Sequence, residues 1–508
     1  MHEVSPFTRV APQNVSAAAI AAGVVLALIV VWVPAPIGVG LVVAAFAGLA
    51  TLAVPVLAPL GLVLSVPAQD VVRIPVGTIG LTATQLALAG TGFLLPLVLL
   101  SRRARVHFPL TARMLTIFLL VQVLSLSVAS NVLFGVATIY RWGGALVAFL
   151  AVIHLMVSRR SVLLLAAGLA IAAVGEVAFG TVQSALGLAP PSFAVAAGIY
   201  RAYGTFGQPN PYGGYLEMVG LWLLPLALWN VRACATFLRR YRRVRWRGFV
   251  AAAGTRRRLI LHGLLLIVLA TGVLASLAGI LLSFSRGAWV GTLGGLAALL
   301  LFAPATVRRV GVAVVVIGAI VLLTGGWQQL PEPVRERAVQ LVTQARPFDV
   351  RDVQLTANNW AVVERMVHWQ AAWNMFLDHP LTGVGAGNFS VLFPDYSLHP
   401  VFPVARGHAH NYYLHVLAEL GLPGFLVYSA LLASAVWTML TVVRRRAFGF
   451  DRAVALGALA ATAAVAVHNL VENLHELHLS IQLLALWGFV WRARCGWDHD
   501  ANRTKAVR

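Results

Sequence analysis

Acidic residues are scarce in this chain, with 17 Asp and Glu against 38 Lys and Arg in 508 residues. Charge of either sign is scarce too, because charged residues make up 11% of the sequence while 59% is hydrophobic and the mean hydropathy is +0.83. That composition excludes an ordinary soluble domain, whose surface needs about a quarter of its residues charged. Cysteine is almost missing: only Cys234 and Cys495 occur. Both fall in segments that the topology below assigns to the cytoplasm, where thiols stay reduced, so no disulfide is expected. Internal repeats and low-complexity linkers are also lacking.

What the chain has instead is apolar runs, recurring from Val15 to Trp491. About 20 residues are needed to cross roughly 30 Å of hydrocarbon, so the sequence reads as an all-α polytopic transmembrane bundle. The first run, Val15 to Val33, has only Arg9 ahead of it and no convincing cleavage signal, and it reads as a retained helix. With the N-terminus cytoplasmic, spans are expected near 15–33, 37–53, 55–67, 79–100, 111–130, 136–157, 162–187, 212–230, 259–282, 288–304, 310–325, 410–440, 453–470 and 477–491. The charge-free stretch 37–67, interrupted by Pro55 and Pro59, is counted as two short, tilted or re-entrant pieces. The bundle thus has about 12–14 spans. Residues 1–325 carry the first eleven, with a basic cytoplasmic loop at 232–258; 326–409 form one long external loop with amphipathic helices; 410–495 return to the membrane; and 496–508 are a cytoplasmic tail.

A net charge of +21 would point to nucleic acid in a soluble protein, but position decides otherwise. Arg102, Arg103 and Arg105, then Arg159 and Arg160, Arg308 and Arg309, and Arg444 to Arg446 stand at the ends of apolar runs, and ten arginines lie between Arg232 and Arg258. Counting 37–67 as two pieces puts every block on one side, as the positive-inside rule requires. No nucleic-acid partner is expected.

Few arginines remain for the other side: Arg73, Arg141, Arg201, Arg286 and six in the long loop. Arg201, in RAYGTFGQPNPYGG, and Arg286, in SFSRGAW, stand at membrane boundaries against the topological bias. Two readings are open: a guanidinium fork holding pyrophosphate oxygens, or snorkelling to lipid headgroups. Gly383 to Gly424, GVGAGNFSVLFPDYSLHPVFPVARGHAHNYYLHVLAELGLPG, is the stretch densest in chemical groups. His410 suits a general base for a hydroxyl, or an interfacial hydrogen bond only; Asn411 after it could orient an acceptor or cap the helix. His408, His410 and His415 resemble metal ligands, but in a helix His408 and His410 would be about 200° apart, and no cysteine or clear carboxylate completes a set. No metal or other cofactor is expected. Glu176, alone inside a span, needs a functional or paired role, with Arg201 one possible partner. Glu217, Glu419 and Glu472 read as hydrated helix faces, Glu419 also as a possible substrate contact; His468, Asn469, Glu472, His475 and His478 form a second polar cluster at the same mouth. Residues 359–378, with Val363, Met366, Val367, Ala371 and Trp373 spaced by threes and fours, predict an amphipathic helix on the membrane surface or capping the bundle.

RAYGTFGQPNPYGG, then SFSRGAW, then ERMVHWQAAWNMFLDHPLTGVGAGNF in a long loop, then HAHNYYLHVLAELGLPGF resembles the O-antigen ligase and O-antigen polymerase superfamily of bacterial membrane proteins over roughly residues 160–440. The His-Asn-x-x-Leu element (His410, Asn411, Leu414) before Ala-Glu-Leu-Gly is its more specific part. The resemblance implies transfer of a glycan from undecaprenyl diphosphate to a lipid, glycan or protein acceptor on the outer side of the bacterial cytoplasmic membrane, without metal or nucleotide. It implies that His410 is the base, that Arg201 and Arg286 hold the diphosphate, and that Arg365 binds donor or orders the loop. The longer N-terminal hydrophobic region and the extra His408 depart from the family pattern. Members differ in acceptor: ligases, polymerases and protein glycosylating enzymes share the pattern. A polysaccharide or lipid transporter also fits the many spans, although only Glu176 would supply an intramembrane acidic site.

Overall fold

Backbone surrounded by hydrocarbon must satisfy its own N–H and C=O groups, and a long apolar run does so as a helix. In the computed structural model, which describes residues 50–497 apart from 52, 70, 72, 77–78, 104, 197, 245–248, 344–347, 357–358 and 406, that is what these runs form. The expected spans at 15–33 and 37–53 lie outside the described residues, save for the end of the second. The helices are α1 (Leu57–Leu64), α2 (Ala83–Ser101), α3 (Leu110–Ser125), α4 (Val132–Leu155), α5 (Arg159–Ala185), α6 (Pro209–Val244), α7 (Phe249–Leu282) and α8 (Arg286–Phe302). They continue with α9 (Ala305–Val321), α10 (Glu332–Thr343), α11 (Trp360–Asp378), α12 (Phe389–Tyr396), α13 (Tyr412–Arg445), α14 (Phe450–His468) and α15 (Leu479–Cys495). Among the described residues nine helices are long and apolar enough to cross a membrane, and α8 is a shorter apolar one. The protein is an all-α polytopic bundle. The α1 helix has eight residues, about 12 Å, which is too short to cross. Two small antiparallel hairpins, Arg73–Val76 with Ile79–Thr82 and Ala194–Ala196 with Ile199–Tyr200, occupy loops.

Successive long helices run up and down, so their ends gather at two poles. At one, Arg159 and Arg446 approach Asp451 at 3.2 and 3.8 Å, and Arg452 donates to the Phe302 carbonyl. The arginine blocks collect here. The 36 and 34 residues of α6 and α7 exceed the roughly 20 that a bilayer requires, and the surplus carries the basic stretch beyond the apolar layer.

The helix α14 is the most enclosed of the candidate spans, with 72% of its apolar window buried. Hydrocarbon gives helices no hydrophobic reason to associate, so close packing of small residues must supply it. Its run ALGALAATAAVA does this: a Cβ on Gly457 would meet the Trp222 carbonyl at 2.6 Å, and one on Gly295 of α8 the Ala460 carbonyl at 2.7 Å.

At the other pole α11 and α12 pack over the start of α13 around Val363, Val367, Phe389 and Phe393. The buried face of α11 runs Val363, Met366, Val367, Ala371, Met375. Trp373 is 46% exposed, contrary to expectation, because two residues past Ala371 is about 200° round the helix. The glycine turn 383–387 is fixed by a break in α13. Gly421 has φ +61 and Pro423 lacks an N–H, so the Ala418 and Glu419 carbonyls lose their helical donors. They accept instead from Val384 N at 2.9 Å and Gly385 N at 3.0 Å, and Leu422 N turns to the Pro380 carbonyl at 2.8 Å.

Candidate active site

At the pole opposite the arginine blocks, six segments bring their polar groups together. Glu176 of α5 accepts from Thr205 N at 3.0 Å and from the Thr205 hydroxyl at 2.6 Å. This anchors the loop that carries Arg201; Thr205, not Arg201, is the Glu176 partner. Gly204 lies against the carboxylate at φ +55, where a Cβ would come within 2.2 Å of its Oε2, so only glycine fits. Arg201 Nε donates to the Ser283 carbonyl at 2.8 Å and Nη2 to Asn210 Oδ1 at 2.7 Å. A tight turn with Phe284 at φ +45 presents that carbonyl, and Ser285 caps α8 and also donates to Asn210 Oδ1 at 3.0 Å.

Glu472 is the hub. Its Oε2 accepts from Asn210 Nδ2 and lies 3.9 Å from Arg365 Nη2. Its Oε1 lies 3.1 Å from His410 Nδ1 and 3.3 Å from His408 Nε2. Glu472 is 4% exposed and Glu217, bonded to His468, is 0% exposed, so neither is a hydrated helix face. The reason is topological: residues 469–478 fold inward between α14 and α15 rather than out into water, with Leu477 and His478 at φ +48 and +59. His410 is also at positive φ, +50, a conformation that costs roughly 1–3 kcal/mol and is kept where the surroundings over-determine it. Here they do: Trp369 Nε1 donates to the His410 carbonyl at 3.1 Å, and Tyr412 N to the Asn469 carbonyl at 2.8 Å.

A cavity of about 310 Å³ opens beside this network. Asn210, Ser285, Arg286, Arg365, His468 and Glu472 form its polar wall; Val290, Val362, Met366, Trp369, Val467, Leu470 and Val471 form the rest. Arg286 and Arg365 thus line it, while Arg201 and His410 stand one hydrogen bond behind, through Asn210 and Glu472. Asn411 caps α13, accepting from Tyr413 N and Leu414 N at 3.0 and 3.1 Å. Glu419 holds the glycine turn, accepting from Gly387 N at 2.8 Å and Phe389 N at 3.0 Å. Neither Asn411, Glu419 nor Glu176 lines the cavity. Asn210, Ser285 and Arg337 escaped the sequence reading. Asn210 and Ser285 lie inside the motifs already quoted for their arginines; nothing in the sequence separates Arg337 from the other loop arginines.

Arg201 feels its neighbours. Burial, then the charges of Arg337, Arg365 and Arg286, push its guanidinium down to about 9 despite Glu472, and burial with Arg365 lowers Arg337. Burial raises the Glu472 carboxyl, but His410, His408 and Arg365 outweigh it and hold it well below the usual range. The guanidinium charges of Arg201, Arg286, Arg337 and Arg365 thus repel one another, and the carboxylates that offset them among the described residues are Glu472, acting on Arg201, and Glu336, acting on Arg337.

His408, His410 and Glu472 place three possible metal ligands within 4.8 Å of one another. They do so because residues 407–411 are a loop, not the helix that would have separated the two histidines, and because Glu472 supplies the carboxylate. The hydrogen bonds argue against a metal. His408 Nδ1 accepts from His410 N at 3.1 Å, so in the neutral ring Nε2 carries the hydrogen and donates to Glu472. A ligating histidine does the reverse, donating from its second nitrogen. Burial keeps His408 neutral by pushing it down to about 4. The donor set therefore does not fit a metal.

Residues 271–429 match the family model described as O-antigen ligase. That segment holds Arg286, Arg337, Arg365, the glycine turn and His410, and it supports placing the chain in the O-antigen ligase superfamily. The family is one of glycan-transferring membrane enzymes. No curated protein matches the chain.

Proposed function

We propose that the chain is a membrane glycosyltransferase that moves a glycan from undecaprenyl diphosphate to a hydroxyl of a lipid, glycan or protein acceptor, at the face away from the cytoplasm. One observation carries this reading: Arg286 and Arg365 line a cavity whose walls away from its polar groups are apolar, and Arg201 and Arg337 stand close behind them, the four charges only partly offset by Glu472 and Glu336. A diphosphate supplies the missing charge and a polyprenyl chain suits the apolar walls.

The residues divide the chemistry. His410 Nδ1 donates to Glu472, which leaves Nε2 with its lone pair as base and fixes the ring, the arrangement that makes a histidine effective in proton abstraction. Glu472 is a positioning residue, held by Asn210 and Arg365. The acceptor oxygen attacks the anomeric carbon as its proton passes to His410 Nε2. The bond from that carbon to the phosphate oxygen breaks with its electron pair going to the phosphate, and the sugar inverts. Fixed guanidinium groups stabilise the charge that develops there, and no strong acid is required.

The test is direct. Purified protein is incubated with lipid-linked glycan alone, then with lipid or protein acceptors, and the products are weighed by mass spectrometry. A longer lipid-linked glycan from donor alone identifies a polymerase, and a glycan-bearing acceptor a ligase or protein glycosylating enzyme. Unchanged donor in every arm overturns the proposal.

A further inference from the structure

A second histidine and carboxylate pair flanks the cavity and takes no part in the chemistry above. His468, at the end of α14, lines the cavity with Arg286, Gly287 and Glu472 and is 1% exposed. Its Nδ1 lies 3.0 Å from Glu217 Oε1 on α6. Its Nε2 is buried without a hydrogen-bond partner among the described residues. Two glycines make room for the pair. A Cβ at Gly287 would stand 2.4 Å from His468 Cδ2 and Nε2, and one at Gly291 would stand 2.6 Å from Glu217 Oε2. The glycine of Ser-Arg-Gly is therefore where the His468 ring sits, directly after Arg286.

The proton count decides what Nε2 presents. With a diphosphate seated in the cavity, a net negative pair beside it would face like charge in a low-dielectric site, so in the bound state the pair is neutral overall. Either a protonated Glu217 donates to Nδ1, or its carboxylate accepts from an imidazolium. In the first state the neutral ring carries its one hydrogen on Nε2; in the second both nitrogens carry hydrogen. In both, Nε2 is a donor with no acceptor among the described residues.

We infer that His468 donates this hydrogen bond to a phosphate oxygen of the polyprenyl diphosphate, on the membrane side of the arginine cluster. The inference rests on the function proposed above. During transfer His468 moves no proton: the acceptor proton goes to His410, the electron pair of the broken bond goes to the phosphate, and His468 binds the oxygen that carries the charge. Val290, Val467 and Val471 continue the wall beside it, where the first prenyl units would begin.

Binding of undecaprenyl diphosphate without glycan to protein in nanodiscs, followed by native mass spectrometry, separates this role from catalysis. His468→Leu is expected to weaken binding and lower transfer by roughly ten-fold or more, the usual effect of losing a hydrogen bond to a charged group. Because that variant leaves Glu217 without its partner, Glu217→Leu/His468→Leu is measured beside it and should behave alike. His468→Gln, whose amide donates but is no base, should stay within about three-fold of the wild type on both measures. Wild-type binding in both leucine variants overturns the inference, as does a glutamine variant that binds but does not transfer, which would make His468 the base. If the wild type binds the diphosphate but transfers glycan to nothing, the proposed function fails alone, and weaker binding by the leucine variants still supports the contact.

Discussion

The two ends of this bundle use the same side chain in opposite ways. At one end arginines are spread over many helix termini and exposed: Arg159 and Arg446 have about half of their side-chain surface in solvent, 48% and 50%. Each is worth little as a contact, since an exposed ion pair contributes about 0–1 kcal/mol; together they fix orientation. At the other end Arg201, Arg286, Arg337 and Arg365 are few, crowded and largely withdrawn from water. Such crowding is unfavourable in the empty protein and becomes favourable when an anion arrives. On the proposed function, number at one end sets topology, and desolvation at the other sets binding.

The strongest way to sharpen the comparison leaves the arginines untouched. If they bind and His410 reacts, His410→Ala should lower transfer by about 10² to 10⁴ while undecaprenyl diphosphate still binds as in the wild type. His408→Ala should be much milder, because its hydrogen bond to Glu472 is one of several. Near-normal turnover in His410→Ala, with loss in His408→Ala, would reassign the base.

A smaller loss is expected when geometry changes and charge does not. Arg201→Lys and Arg286→Lys keep the cation but lose the planar fork, so transfer should fall by roughly ten- to a hundred-fold through lost charge-assisted hydrogen bonds. Arg308→Lys and Arg309→Lys, at the exposed pole, should do nothing measurable. Equal tolerance at both poles would erase the distinction. If the same cations neutralise the diphosphate, a divalent ion is unnecessary. EDTA is expected to leave turnover unchanged, and a loss restored by added metal would overturn that.

Much of this was legible beforehand, because hydrocarbon leaves a backbone few choices. The helices, the arginine blocks and the arginines of the quoted motifs follow from apolar length and charge position. What escaped depended on chain segments folding back. Glu472 read as solvated because it stands near a span end, and only the inward path of 469–478 carries it to His410. His408 and His410 read as opposite faces of a helix that begins instead at Tyr412. Glu419 stood beside the His-Asn-x-x-Leu element yet holds the glycine turn, since the break at Gly421 was invisible as a source of unpaired carbonyls.

The smallest effect expected is none, and it tests the exposed pole. If the spread arginines face the cytoplasm, the natural cysteines do as well: Cys234 lies about 25 residues into α6, beyond the roughly 20 that span the apolar layer, and Cys495 ends α15 at the same pole and is exposed. A membrane-impermeant maleimide should therefore leave the wild-type protein unmodified in intact cells and label it once the membrane is opened. Arg351, in the loop at the opposite pole with its side chain 64% exposed, offers the complementary position. With both natural cysteines replaced by serine, Arg351→Cys should be labelled in intact cells without any change in turnover. Labelling of Cys234 or Cys495 in intact cells, with Arg351→Cys spared, would turn the molecule over, put the buried arginines on the cytoplasmic side and leave the outward-facing transfer reaction without a site.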